Sequence, residues 1–181
     1  MALEKINIPS DPSPLSVMEA ITNTEKMLSE YSIDQIMSLC EKEVDERVHL
    51  VSKVFDAFIV SCYTGAPSLL PFYACEWVKY SLRQGVCPES TGAFAVYAVT
   101  KVSITSDVKA GKYDAEVVRK VIQKQRAENK YSMQKYEART QVMLCSTIDI
   151  WHGNYLSVTM KIRVVIPTYI SDFFKSGPNV D

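Results

Sequence analysis

Gly65–Thr105 reads GAPSLLPFYACEWVKYSLRQGVCPESTGAFAVYAVTKVSIT, and this stretch decides the fold class. Two apolar runs of helical period flank a short connection, Arg83-Gln84-Gly85-Val86-Cys87. Pro67 suits a first helical turn, where its missing N–H would have had no partner anyway. Gly85 suits a left-handed stop, and Pro88 restarts a helix with Glu89 near its positive N-terminus. The runs are built from Tyr, Trp, Phe, Val and small Ala residues, so they predict a packed αα-hairpin rather than a chemical site. Such hairpins are the units of helical-repeat scaffolds.

The same periodicity extends on both sides. Upstream, Val44, Val48, Val51, Phe55, Phe58 and Cys62 step by 4, 3, 4, 3 and 4, with Leu50, Val54 and Ile59 broadening the stripe; Asp45, Glu46, Arg47, Lys53 and Asp56 take the opposite face. Ile33–Cys40 forms a shorter helical segment, and Ser13-Pro14 supplies an N-cap and first-turn pair for a helix from Leu15 to Tyr31. Downstream, Ser106 to Lys112 reads as a polar connection, Tyr113 to Gln125 as a helix, and Arg126 to Lys130 as a turn. A long helix then runs through Tyr136, Thr140, Leu144 and Ile148 to Trp151, with His152-Gly153-Asn154 closing it. Tyr155–Lys175 is the last helix, kinked or broken by Pro167. The expectation is an all-α fold of about seven helices in stacked antiparallel pairs, an α-solenoid of the TPR-like kind. Residues 1–14 form a disordered lead-in and residues 15–181 one helical-repeat domain, a fragment of a longer array.

Composition narrows the function. A formal charge of −1, from 20 basic and 21 acidic side chains, sets up no field that would gather nucleic acid. Five cysteines in apolar helical runs, without a CxxC pair, read as small buried hydrophobes in a reducing compartment. No apolar leader and no run of 18 apolar residues is present, which points to a cytoplasmic protein with no membrane partner.

Val78-Lys79-Tyr80-Ser81-Leu82-x-x-Gly85, Pro88-Glu89-Ser90 and Ala93-Phe94-Ala95-x-Tyr97-Ala98, followed by a polar turn, a helix and a long helix ending at Trp151, make a recognisable series. It resembles the degenerate TPR-like repeat region that follows the nucleotide-binding module in large AAA and signal-transduction ATPases. The resemblance covers about Glu30 to Tyr155. It implies a non-catalytic interaction or regulatory segment of an intracellular ATPase-linked signalling protein, whose partner is another protein or the neighbouring ATPase domain of the same polypeptide. A histidine kinase or nucleotide cyclase often follows in such proteins.

Chemical motifs are absent by contrast. Gly111-Lys112 is followed by Tyr113 and lacks the upstream glycine of a phosphate-binding loop. His49 and His152 have no cysteine at metal-ligand spacing, so neither metal nor other cofactor is expected. The segment by itself reads as no enzyme. The candidate partner surface is drawn from Lys79, Arg83, Gln84 and Glu89 near the hairpin and from Arg119, Lys120 and Lys124. The last three belong to a basic stretch over residues 119–135, and an alternative function is a stand-alone adaptor using that face for an acidic partner or nucleic acid. A further alternative is a small all-α enzyme with convergent polar groups around His49, Cys62 or Cys145.

Overall fold

The computed structural model describes residues 12–41, 43–128, 133–150 and 153. Every element among them is helical: α1 (Pro14–Ser29), α2 (Ile33–Glu41), α3 (Glu46–Gly65), a 3₁₀ turn (Pro67–Leu69), α4 (Leu70–Gln84), α5 (Thr91–Thr105), α6 (Val108–Ala127) and α7 (Met133–Leu144), which runs on as a π-helical turn over Cys145–Asp149. The expected helix over Tyr155–Lys175, Pro167, and the closing pair Trp151 and His152 lie outside the described residues.

Local chemistry explains most boundaries. Ser13 and Ser16 form a reciprocal cap at the start of α1, with Pro14 in the first turn. Ser32 and Gln35 do the same for α2: the Ser32 N–H donates to Gln35 Oε1 at 2.7 Å and the Gln35 N–H to Ser32 Oγ at 3.2 Å. The side chains of Asp45 and Asp107 cap α3 and α6. Because Asp107 caps α6, the predicted 106–112 connection shrinks to Ser106-Asp107, and Gly111 sits inside the helix. Ser106 makes this tight turn in the left-handed region, at φ 58°.

The core centres on α5. Residues Thr91–Ala98 and Thr100–Val102 are all buried, as expected of a helix apolar on every side. It packs against α4, α6 and α7; α1 and α3 lie on α4, and α2 lies on α6. Contacts between α1 and α4 and between α2 and α6 join helices that are not neighbours in the chain. Trp77, with no exposed surface, stacks on Phe55 at 6.0 Å between ring centroids. The aromatic set Phe72, Tyr73, Trp77, Tyr80, Phe94 and Tyr97 is interhelical core, and all five cysteines are buried.

The stripe of α3 differs from expectation. Its buried residues are Val48, Ser52, Phe55, Ile59 and Cys62. Leu50, Val54 and Phe58 point outward, being 62%, 47% and 44% exposed. The predicted stripe had merged two adjacent apolar strips into one.

Candidate functional site

The connection between α4 and α5 is a buried strap, not a surface turn. Gly85 opens it at φ 115°, and a Cβ there would lie 2.6 Å from Val44 Cγ1, so the close approach requires glycine. The Val86 N–H donates to the Leu39 carbonyl at 3.2 Å, and the Val86 carbonyl accepts from Gln125 Nε2 at 3.1 Å. Gln125 in turn accepts from Thr91 Oγ1 at 2.8 Å. The Cys87 carbonyl accepts from both the Ser90 N–H and the Ser90 hydroxyl. With these polar groups paired, the strap can sit inside the molecule. The helix restarts at Thr91 rather than at Pro88, and Pro88–Ser90 forms a turn.

That strap carries Cys87 and Glu89 to His49 on α3. His49 Nδ1 lies 2.8 Å from Glu89 Oε2, and one donor atom each from His49, Cys87 and Glu89 all fall within 4.8 Å of one another. Cys87 Sγ also meets Ser52 Oγ at 3.5 Å and Ser90 Oγ at 3.6 Å. Burial pushes the Cys87 thiol above its ordinary pKa, with the two serine hydroxyls opposing. The His49 side chain keeps 34% of its surface in solvent, whereas that of Glu89 keeps 6%. The cluster is thus closed on the strap side and open at the imidazole.

A concavity of about 450 Å³ lies elsewhere, between α1, α5 and α6, lined among others by Glu25, Tyr97, Lys101 and Asp114. Lys101 Nζ pairs with Glu25 at 2.7 Å and with Asp114 at 3.0 Å. Burial pulls the Lys101 pKa down, but the two carboxylates outweigh it and the net shift is upward. Burial raises Asp114, with Lys101 opposing.

The predicted partner-surface residues separate. Glu89 is 5% exposed and belongs to the buried cluster, so it leaves the proposed surface. Lys79 is paired with Glu76 at 2.8 Å, while Arg83 and Gln84 are exposed. Within the described part of the basic stretch the cations are paired: Arg119 meets Asp149 at 2.5 Å, Lys120 meets Glu116 at 3.8 Å, and Lys124 meets Glu41 and Glu128. Arg126 pairs with Glu137. Residues Lys130 and Tyr131 lie outside the described residues. Cys62 and Cys145 are buried and, among the described residues, do not join the His49 cluster; of the three positions named for the alternative enzyme reading, His49 is the one where a thiol and a carboxylate meet the imidazole. Linear spacing gave no sign of it, since His49 and Glu89 stand 40 positions apart and only the strap brings them together.

No known protein family, curated protein or solved structure matches the chain. Among the described residues, no helix is long and apolar enough to cross a membrane.

Proposed function

We propose that the chain is a non-catalytic, TPR-like helical interaction segment of a cytoplasmic ATPase-linked signalling protein, docking through α3 onto the ATPase-bearing part of the same polypeptide. The observation that carries this reading is the second apolar strip of α3. Leu50, Val54 and Phe58 follow one another at one-turn spacing and keep 62%, 47% and 44% of their surface exposed, with Phe58 resting partly on Tyr73 of α4 at 5.1 Å between ring centroids. An outer helix with one apolar strip in the core and another facing outward is what an internal member of a helical array looks like when its neighbour is removed. The order of packing supports the same reading. From α3 to α7 each helix contacts the next, while α1 and α2 close onto α4 and α6 across the chain.

The test is recovery of the endogenous protein from its cell, followed by peptide sequencing. The reading expects peptides with a GxxxxGK[ST] phosphate-binding loop in the same polypeptide as residues 12–150. It also expects the double variant Leu50→Glu/Phe58→Glu to fold but to lose protection of α3 from proteolysis in the parent protein. A free chain of 20.4 kDa with no ATPase attached or associated would overturn it.

A further inference from the structure

We propose that His49, Cys87 and Glu89 form a three-ligand site for a divalent cation of the zinc type, with water completing the coordination. Three chemically different donors, an imidazole nitrogen, a thiol sulfur and a carboxylate oxygen, already lie within 4.8 Å of one another. Metal–ligand bonds of roughly 2.0–2.3 Å place tetrahedral donors about 3.3–3.8 Å apart, so on binding the His49–Glu89 contact opens slightly and any pair standing beyond that range closes by up to about 1 Å. The mixed N, S and O set suits a borderline ion such as Zn²⁺ and disfavours Mg²⁺ and Ca²⁺, which want oxygen alone.

The surroundings are those of a built site. Cys87 and Glu89 ride on the strap whose polar groups are tied to α2, α6 and its own turn, so their positions are set before any ion arrives. Ser52 places its hydroxyl 3.5 Å from the sulfur, where it can turn to donate to a thiolate and hold it in direction, while the Ser90 hydroxyl donates to the Cys87 carbonyl and fixes the turn. The imidazole, one-third exposed, is the side of the cluster nearest to solvent and the side from which ion and water would arrive. Lys53 Nζ stands 3.9 Å from the Glu89 carboxylate and, being 57% exposed, can swing away. On binding, the thiol gives its proton to solvent, and His49 ligates through Nδ1 with its own proton on Nε2. The thiolate, the carboxylate and the neutral imidazole together cancel the charge of the ion.

Cobalt(II), added alone to the chelator-treated 181-residue chain, is the probe. The proposal expects one cobalt per chain, four-coordinate visible bands, a sulfur-to-cobalt charge-transfer band, and displacement of both by Zn²⁺. In Cys87→Ser the charge-transfer band disappears, in His49→Ala and Glu89→Gln affinity falls, and in Cys62→Ser the spectrum is unchanged. Ser52→Ala, which leaves all three ligands in place, weakens binding by about 10- to 100-fold. Should Cys87→Ser fail to fold, zinc protection of a single cysteine in the wild-type chain, mapped by alkylation and peptide sequencing, gives the same answer. Absence of a charge-transfer band, its persistence in folded Cys87→Ser, or protection of a cysteine other than Cys87 would overturn the site.

Discussion

Lys101 shows how much a single buried charge can matter to this fold. Its side chain is 7% exposed and is held by Glu25 on α1 and Asp114 on α6, so it links three helices. Lys101→Met leaves the Asp114 carboxylate buried without its cation, and chemical denaturation is expected to show a loss of about 3–5 kcal/mol. Adding Asp114→Asn should recover part of that loss. A folded-state Lys101 pKa above its ordinary 10.5 stabilises fully below that pH and progressively less as pH rises through the higher, folded value. Melting temperature followed from about pH 9 to about pH 12 should therefore fall more steeply in the wild-type chain than in Lys101→Met. Gly111 offers a second test at this scale. A Cβ there would lie 2.1 Å from Val102 Cγ2, so Gly111→Ala should lower the melting temperature despite a helix-propensity gain of about 1 kcal/mol.

At the scale of elements, α3 separates what periodicity can and cannot decide. Its helical nature was legible from apolar steps of three and four residues. Which strip faces the core was not, because Ser52 is buried while Leu50, Val54 and Phe58 are exposed, and hydrophobicity alone ranks them the other way. Phe55→Ala is expected to cost about 3–5 kcal/mol through the cavity it leaves beside Trp77. Phe58→Ala should cost only about 1 kcal/mol, the worth of its stacking on Tyr73. Equal losses in the two denaturation curves would reverse the assignment of faces. The strap marks a different limit. Gly85 signalled the helix end correctly, but burial of Val86, Cys87 and Glu89 depends on partners in α2, α3 and α6 that no local pattern contains. For that reason the hairpin was readable and the His49 cluster was not.

Over the whole molecule, α5 is the hub among the described residues, buried on nearly every side by α4, α6 and α7. Backbone amides of Phe94–Ala98 should exchange with solvent more slowly than those of α1, whose Leu15 and Met18 are 80% and 42% exposed. The outward strip of α3 is the feature such a core leaves unused, and docking of the ATPase-bearing part on that strip is the claim on which the functional account stands. A photo-cross-linking residue at position 54 of the native full-length protein, with position 109 as an exposed control, tests it most directly. The account predicts that position 54, and not position 109, cross-links to a peptide of the ATPase-bearing part in a nucleotide-dependent way. Equal yields at the two positions, or no adduct to that part at position 54, would contradict it.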